Sequence, residues 1–416
     1  MKILYVVHQF FPEFVGGTEQ DTAAIAREMQ LRGHEVAVFH RAPGELALLA
    51  ADRDGIRTYR AQAGPMTPGA LFVSTFRNGR LRRAFRKAFH DMEPDLVHFQ
   101  HLRGLPASIA SWTRQAGRPV VISLRDFWFV CPNAQLLTNT TQVICATPGS
   151  PRHCAACGLA RLGLNALVPL APLFEPVMGA RNRLLRRTLE QADGLLAFSR
   201  FVENWHAGQG VPRDILHYVR RGIPRPPGMP SRIRIAGALR FVYVGGLAWQ
   251  KGVHVLVDAF NGLTGSAELV IAGDETQFPS YVRALKERAR HPGIVFAGRL
   301  DREQVWQALA DADVVVIPSL WFETFSMLAH EAFAAGVPVV ASNHGALEEA
   351  VQHEVDGLLV PPGDVAEWRE ALQHLIDDPH LLQNLRSNVR APVGFDEYGT
   401  QIESLYHALL APEALV

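Results

Sequence analysis

Two glutamates eight residues apart, Glu323 and Glu331, are the side chains in this sequence best suited to holding a ligand. The residues between them predict a helix over positions 324–335, so the carboxylates should lie roughly 12 Å apart along its axis. That separation is too long for a pair sharing one proton, and it suits an elongated polyhydroxyl ligand held at two points. The structural alternative is that Glu323 complements the helix dipole and Glu331 is a solvated helix residue.

The elements that position these glutamates form a strand–helix–strand unit. Apolar runs rich in β-branched residues at positions 314–317 and 337–341 flank the predicted helix, which is the pattern of buried strands in a parallel βαβ unit. The alternation recurs in both halves of the chain and predicts two doubly wound parallel sheets. Ligands of such sheets bind at the carboxyl ends of the strands.

The same segment resembles the signature of a known family. The glutamates are followed by Ala-x-Gly-x-Pro-Val-Val at residues 334–340, and the combination is similar to that of retaining glycosyltransferase family 4, also called glycosyl transferases group 1. The resemblance implies the α/β GT-B fold, with two Rossmann-like, doubly wound parallel-sheet domains facing a central cleft and a C-terminal helix that crosses back to the N-terminal domain. It also implies that Glu323 contacts the donor sugar and Glu331 the nucleotide ribose.

The resemblance places more donor-binding residues in the loops after strands. Lys251 follows a glycine turn and opens a helix, where a cation can neutralise a diphosphate. Gly246 stands where the family usually has an arginine, so Arg299 is the predicted substitute. The predicted donor-binding set is Gly16, Gly17, Gly245, Gly246, Lys251, Gly273, Asp274, Arg299, Glu323, Thr324, Phe325, Ser326, Met327, Leu328 and Glu331. The glycines at 16 and 17 precede a predicted helix over 19–32, for which Thr18 and Asp21 form a start resembling a capping box.

In the N-terminal half, the resemblance points to Arg125 and Asp126. Many relatives have His-Asp there, so the histidine's role cannot be transferred, and Arg125 is predicted to hold a phosphate or an anionic sugar. With Glu323 and Lys251, these two residues complete the predicted catalytic set. His98, His101 and Ser199 are the predicted acceptor-binding residues, although either histidine is also explained as a structural one.

Four cysteines fall between positions 131 and 157, namely Cys131, Cys145, Cys154 and Cys157. One CxxC pair plus two further thiols predicts a structural zinc site in a loop that otherwise lacks a core. Unligated thiols and disulfides remain the alternatives. No cofactor is expected to be required for catalysis.

Two segments raise the question of membrane contact. Residues 76–91 carry six basic residues and an apolar stripe of Leu81, Phe85 and Phe89, which is typical of a surface helix or of a basic amphipathic helix on an anionic membrane. Residues 158–187 are apolar and interrupted by prolines, which argue against one long helix. Packing on the protein's own domain is the alternative for both.

The length and net charge of the chain limit the number of domains and the remaining classes of protein. The 416 residues suffice for two domains, which we place at 1–225, with a Cys-rich insertion at 131–157 and completion by 392–416, and at 238–390. Lys+Arg and Asp+Glu both total 41, so net charge gives no case for nucleic-acid binding. No apolar run is long enough to span a membrane, and the N-terminus reads as a buried strand rather than a signal peptide. We therefore expect a cytoplasmic protein with peripheral membrane contact as an option.

The family resemblance, with which these observations agree, implies a retaining, metal-independent glycosyltransferase that moves a sugar from a nucleotide diphosphate sugar to a hydroxyl of a glycan, a lipid-linked glycan or a small molecule. A nucleotide-sugar epimerase of the same fold and a non-catalytic sugar-nucleotide-binding scaffold are the main alternatives. A phosphorylase-like enzyme with lysine-bound pyridoxal phosphate is the third.

Overall fold

The computed structural model describes residues 1–411 except 15, 45–46, 227, 232 and 234–236, and the chain divides into two compact units. The first unit comprises Met1–Arg220 together with the C-terminal helix, and the second comprises Arg221–Phe395. Parts of the predicted linker over 223–237, and residues 412–416 of the predicted C-terminal segment, lie outside the described residues.

The first unit is built on an eight-stranded sheet. Its order is β3-β4-β2-β1-β5-β6-β7-β8, and every neighbouring pair is parallel except β3 with β4. The strands are β1 (Lys2–Val7), β2 (Glu35–Ala42), β3 (Ala47–Arg53), β4 (Ile56–Gln62), β5 (Leu96–Phe99), β6 (Val120–Ser123), β7 (Gly194–Ala197) and β8 (Leu216–Tyr218).

The second unit is built on a six-stranded, fully parallel sheet of order β11-β10-β9-β12-β13-β14. Its strands are β9 (Leu239–Val244), β10 (Ala267–Ala272), β11 (Ile294–Gly298), β12 (Val314–Ile317), β13 (Val339–Ser342) and β14 (Gly357–Val360). Strands β12 and β13 are buried along their whole length, as expected for parallel strands covered on both faces. The two sheets confirm the predicted fold class.

Helices connect the strands in both units. They are α1 (Gly17–Leu31), α2 (Pro68–Phe76), α3 (Gly79–Met92), α4 (Ser108–Gln115), α5 (Pro151–Arg161), α6 (Glu175–Glu190), α7 (Arg200–Gly208), α8 (Val253–Phe260), α9 (Pro279–Arg288), α10 (Arg302–Ala310), α11 (Met327–Ala334), α12 (Ala346–Ala350), α13 (Val365–Asp377), α14 (Pro379–Asn388) and α15 (Phe395–Leu410).

Two predicted helix starts were wrong. Helix α1 begins at Gly17 with Gly16 as its N-cap and no side-chain cap, so Thr18 lies inside the first turn instead of capping it. Helix α11 begins at Met327 rather than at Thr324, because its N-cap Ser326 has a left-handed backbone (φ 62°) that a helix cannot continue through. Glu323 therefore precedes the helix, and the predicted 12 Å spacing along one axis does not apply.

The basic helix α3 buries its apolar stripe in the first unit. Leu81, Phe85 and Phe89 are at most 6% exposed and belong to the main core of that unit. Asn78 caps the helix by accepting a hydrogen bond from the Leu81 amide. The stripe is therefore not available to a membrane, and only the basic face of α3 is left for an external partner.

The apolar segment at 158–187 is divided as its prolines indicate. Helix α5 ends at Arg161, a 3-10 stretch covers Asn165–Phe174 with Pro169 and Pro172 inside it, and α6 follows. Among the described residues, no helix is both long and apolar enough to cross a membrane.

Candidate active site

In the second unit, the polar residues collect where the strand order reverses. Strands β9 and β12 are neighbours, although the chain visits β10 and β11 between them. Lys251 lies in the loop after β9 and Glu323 in the loop after β12. The reversal point of a doubly wound sheet, at the carboxyl ends of its strands, is where such folds bind ligands.

Glu323 is largely buried, with a side chain 12% exposed, and is held by three donors. Its Oε1 atom accepts hydrogen bonds from Lys251 Nζ at 2.8 Å, Ser319 Oγ at 2.7 Å and Trp321 Nε1 at 2.9 Å. Burial alone would raise the pKa of Glu323, but the charge of Lys251 and these hydrogen bonds lower it below its usual value. The side chain is therefore an ionised, rigidly oriented carboxylate. The sequence prediction did not include Ser319 or Trp321.

Lys251 reaches Glu323 because two loops touch at Gly252. The Gly252 backbone is left-handed (φ 70°), and a Cβ atom there would lie 1.8 Å from the Pro318 carbonyl oxygen. The Leu320 amide also donates a hydrogen bond to the Gln250 carbonyl at 2.9 Å. Lys251 Nζ then lies 4.8 Å from the ring centroid of Trp321. A glycine at 252 is therefore what lets the lysine and the glutamate meet.

The turn between Glu323 and α11 is fixed by the loop after β13. The Ala346 amide donates to the Glu323 carbonyl at 3.0 Å, and His344 Nε2 lies 2.8 Å from the Ser319 carbonyl. Phe325 is buried and stacks on His330, with ring centroids 4.0 Å apart. The backbone N–H groups that begin α11 thus follow directly after the glutamate. The predicted donor residues Thr324, Phe325, Ser326, Met327 and Leu328 all lie in this turn and first helical turn.

Glu331 is a buried residue of α11, not a solvated one. It is 5% exposed, and its Oε1 lies 2.7 Å from Arg302 Nη2, at the start of α10. Burial raises the pKa of Glu331 in spite of the opposing effect of Arg302. Arg302 was missed in the sequence because nothing in its local pattern links it to a glutamate 29 positions away.

The remaining predicted donor residues lie at strand ends of the same sheet. Gly273 approaches Gly245 closely, since a Cβ on Gly273 would lie 2.2 Å from the Gly245 carbonyl oxygen. Asp274 Oδ1 accepts from both the amide and the hydroxyl of Thr276, which makes it a turn residue. Arg299 is exposed and follows the edge strand β11, two strands from β9 and so roughly 10 Å away. Gly246 leaves open space beside its α-carbon.

In the first unit, His101 and Asp126 come together after β5 and β6. The Arg103 amide donates to His101 Nδ1 at 3.0 Å, so that nitrogen is unprotonated and the proton of the neutral ring is on Nε2. His101 Nε2 then donates to Asp126 Oδ2 at 3.1 Å. Burial opposes ionisation of Asp126, yet His101 and a backbone hydrogen bond lower its pKa. Both ring nitrogens of His101 are thus engaged.

Three other predicted residues of the first unit have structural roles. Arg125 is buried, forms an ion pair with Asp21 and lies 4.5 Å from the ring centroid of Phe198. His98 is 1% exposed, with Nδ1 2.6 Å from the Tyr406 hydroxyl and Nε2 2.8 Å from Ser123 Oγ. Ser199 caps α7 by accepting from the Val202 amide at 3.1 Å. These positions argue against the predicted anion contact of Arg125 and the predicted acceptor contacts of His98 and Ser199.

The glycine loop brings in two residues that the sequence prediction missed. Glu19, in the first turn of α1, is 2% exposed, and its Oε1 lies 3.8 Å from Nε2 of His8, which follows β1. A Cβ on Gly16 would lie 2.5 Å from Glu19 Oε2, whereas one on Gly17 would meet nothing. Gly16 is thus required by the folded-back glutamate. The only feature of the sequence that could have indicated Glu19 was its position in the segment Gly-Gly-x-Glu.

The four cysteines gather around one small cavity. All four are free, and they line a space of about 10 Å³ together with His153. Residues 136–145 form a hairpin closed by a Leu137–Ile144 bridge, and α5 carries Cys154 and Cys157 on one face. Cys157 Sγ accepts from the Asn139 amide at 3.2 Å and from Asn133 Nδ2 at 3.1 Å. Burial raises the pKa of Cys154 to about 12.

Zinc binding by these thiols stays a prediction. Among the described residues, no group of three or more His, Cys, Asp or Glu is arranged to hold a metal ion, so the thiols would have to turn toward the cavity. If they do, metal analysis of the purified protein will find about one zinc per chain, with the thiols protected from titration. Less than about 0.2 zinc per chain, with all four thiols titrating freely, would contradict it.

Family models and curated relatives match nearly the whole chain. A model described as Glycosyltransferase Family 4 matches residues 15–225, and one described as Glycosyl transferases group 1 matches residues 238–378. The chain is 36% identical over 396 residues to a glycogen synthase of Mycobacterium tuberculosis (strain ATCC 25618 / H37Rv), covering 92% of this chain and 88% of that protein. It is 28% identical over 425 residues to a D-inositol 3-phosphate glycosyltransferase 1 of Catenulispora acidiphila, covering 95% and 91%.

Solved structures share the fold at low identity. A sucrose-phosphate synthase from Thermosynechococcus elongatus has a TM-score of 0.75 at 21% identity, covering 99% of this chain and 100% of that one. Anabaena HepE in complex with UDP and glucose has a TM-score of 0.68 at 21% identity, covering 98% and 100%. These likenesses confirm the predicted GT-B architecture.

Proposed function

This chain belongs to glycosyltransferase family 4 and is a glycosyltransferase, and we propose that it transfers a sugar from a nucleotide diphosphate sugar to an acceptor hydroxyl with retention of configuration and without a metal ion. The observation that carries the proposal is the Lys251–Glu323 pair at the reversal point of the second sheet. The pair places a cation and an ionised carboxylate next to each other, just before the start of helix α11.

Each part of this constellation has a task in glycosyl transfer. The reaction releases an anionic diphosphate from a sugar that becomes oxocarbenium-like, so the transition state needs positive charge at the leaving group and oriented contacts to the sugar. In the proposal, Lys251 and the N–H groups that begin α11 hold the diphosphate, and Glu323 orients the sugar. The leaving phosphate itself takes the proton of the acceptor, which attacks on the same face.

The first donor to test is UDP-glucose, because the solved complexes of Anabaena HepE contain UDP and UDP-glucose. Purified protein is incubated with UDP-, ADP- and GDP-glucose in EDTA, with a panel of glycan and polyol acceptors, and nucleotide release and the product anomer are measured. An inverted product would overturn retention, and loss of activity in EDTA would overturn metal independence. An epimerised donor formed without acceptor would favour the epimerase, whereas absence of donor binding in calorimetry would favour the scaffold.

Glu331 is expected to act mainly in donor binding. Substituting it by alanine removes the buried carboxylate proposed to hold the ribose and leaves Arg302 without its partner. We expect the donor KM of Glu331→Ala to rise roughly ten- to a hundredfold, because lost charge-assisted hydrogen bonds cost about 1.5–3 kcal/mol, with a smaller change in kcat. Steady-state kinetics check this, with the exposed Glu370→Ala on α13 as control. A large kcat loss at unchanged KM would contradict the assignment.

An apolar surface on the first unit favours a membrane-associated acceptor. Of the fifteen large apolar side chains exposed among the described residues, seven lie within residues 162–177. They are Leu162, Leu164, Leu167, Leu170, Leu173, Phe174 and Val177. Arg161 is exposed at the start of this stretch, and the one acidic residue between positions 158 and 177, Glu175, lies 3.7 Å from Arg152. Apolar residues beside cations fit the interface of an anionic membrane, so we propose that this surface docks there.

Vesicle flotation tests the docking surface. The protein should float with phosphatidylcholine vesicles containing phosphatidylglycerol and bind pure phosphatidylcholine less. The triple variant Leu167→Ser/Leu170→Ser/Leu173→Ser should lose roughly tenfold or more of that binding, whereas Leu31→Ser, at a 74% exposed position of α1, should not. Equal flotation of the triple variant and the wild type would overturn the membrane proposal and leave the transferase assignment intact.

A further inference from the structure

The first sheet has its own reversal point, and polar residues flank it. Strands β1 and β5 are neighbours, although β2, β3 and β4 come between them in the chain. His8 follows β1 and His101 follows β5, with ring centroids 4.5 Å apart. Asp126 follows β6, the next strand across, and Glu19 lies in the first turn of α1. The carboxyl edge of the first unit thus carries a compact polar cluster at the place where such sheets bind ligands.

Two members of this cluster serve to orient a third. The hydrogen bonds of His101 fix its proton on Nε2 and direct that proton to Asp126. The ring of His101 is therefore held in one orientation, and the ring of His8 packs on it. Burial, aided by the nearby charge of Arg103, lowers the pKa of His8, so its imidazole is neutral at neutral pH. A neutral imidazole donates a hydrogen bond from one ring nitrogen and accepts one at the other.

Two buried atoms of the cluster lack hydrogen-bond partners. They are Glu19 Oε1 and His8 Nδ1. Buried polar atoms in native proteins are nearly always hydrogen-bonded, and those that are not need a physical explanation. Here the two orphans belong to side chains only 3.8 Å apart, and His8 retains partial exposure. The site therefore has two unused hydrogen-bonding atoms on neighbouring side chains; both atoms are buried, and a ligand would approach them past the partly exposed ring of His8.

Helix capping explains only part of the Glu19 arrangement. The Glu19 carboxylate accepts hydrogen bonds from its own amide, from the Gln9 side chain and from the Gly16 amide, and the two backbone bonds are those of a glutamate at the third helical position of a capping box. Its Oε2 atom folds over Gly16. Capping accounts for the burial of the side chain and for the glycine, but it leaves Oε1 without a partner.

We propose that Glu19 and His8 bind two neighbouring hydroxyl groups of the acceptor. One hydroxyl donates its hydrogen to Glu19 Oε1, and the next one bonds to His8 Nδ1. The chemical class that fits is a sugar or another polyol with vicinal hydroxyls. His101 and Asp126 are positioning residues that hold the His8 ring. The inference deepens the proposed function, on which it rests, and moves the acceptor site from His98 and Ser199 to the glycine loop.

A binding measurement tests this inference without any donor. The ring nitrogens of His8 are followed by NMR in ¹⁵N-histidine-labelled protein while methyl α-glucoside, methyl α-mannoside or myo-inositol is added. We expect the His8 signals to shift with at least one of these polyols in the wild type and in Glu28→Gln, a control on the same helix α1. In Glu19→Gln the shift should be lost or need at least a tenfold higher concentration. Unchanged His8 signals with all three polyols would overturn the inference.

Kinetics separate this inference from the proposed function. With UDP-glucose and the best of these polyols, Glu19→Gln and His8→Phe should raise the acceptor KM at least tenfold and change the donor KM less than twofold. Gly16→Ala, which displaces the folded-back carboxylate, should resemble Glu19→Gln, and thermal melting identifies any variant that fails to fold. If Glu19→Gln and His8→Phe both turn over as fast as the wild type with an unchanged acceptor KM, the inference is overturned and the proposed function stands. No turnover by the wild type with any donor or acceptor would count against the proposed function.

Discussion

Glu323→Gln should lower kcat by roughly 10²–10³-fold or more, the range seen when one preorganised transition-state contact is removed, with the fold retained. Glutamine has the size of glutamate and can still accept from Ser319 and Trp321, so the loop keeps its hydrogen bonds. It lacks the charge that holds Lys251 at 2.8 Å. The substitution therefore releases the lysine and removes the carboxylate proposed to orient the donor sugar.

Turnover and stability have to be measured together to interpret this variant. Circular dichroism and a thermal melt should match the wild type, because a neutral side chain of equal shape replaces a carboxylate that is itself partly exposed and whose partner Lys251 can turn to solvent. Glu348→Gln, an exposed acidic residue on the nearby helix α12, is the matched control and should keep full activity. Near-normal turnover by Glu323→Gln would refute the proposed role of this carboxylate.

The sequence predicted the strands well, and it placed Lys251 and Glu323 in the loops where the structure has them, because both depend on local pattern. Continuous β-branched runs indicate buried parallel strands. A lysine after a glycine turn, or a glutamate before a helix, can likewise be recognised without knowing how the loops pack. The start of α11 was misplaced because Ser326 adopts a left-handed backbone without being glycine. Local preference gives no warning of such a residue, since neighbouring loops impose its conformation.

Residues that act through distant partners could not be predicted in this way. Arg302 contacts Glu331 across two helices, and His8 meets His101 only because β1 and β5 are adjacent in the sheet. Strand order is a property of the whole fold, so no short pattern contains it. The same reason explains why His98 looked available: its partner Tyr406 is 308 positions away.

Gly252→Ala should destabilise the protein more than any other single methyl group added near the site. The added Cβ would lie 1.8 Å from the Pro318 carbonyl oxygen, a backbone atom that cannot rotate away, in a residue with φ of 70°. The left-handed backbone costs about 1–2 kcal/mol and the overpacking about 1–3 kcal/mol. For a unit of this size, the sum corresponds to a Tm lower by roughly 5–20 °C.

Activity should fall with stability in Gly252→Ala, because relief of the clash separates the two loops that bring Lys251 to Glu323. Gly336→Ala is the matched control, since Gly336 has nearly the same φ of 72° but open space beside its α-carbon. It should carry only the backbone cost of about 1–2 kcal/mol and keep its turnover. Thermal melting and steady-state kinetics of the two variants separate the clash from the backbone strain. Equal melting temperatures would show that the loop contact at Gly252 does not determine the position of Lys251.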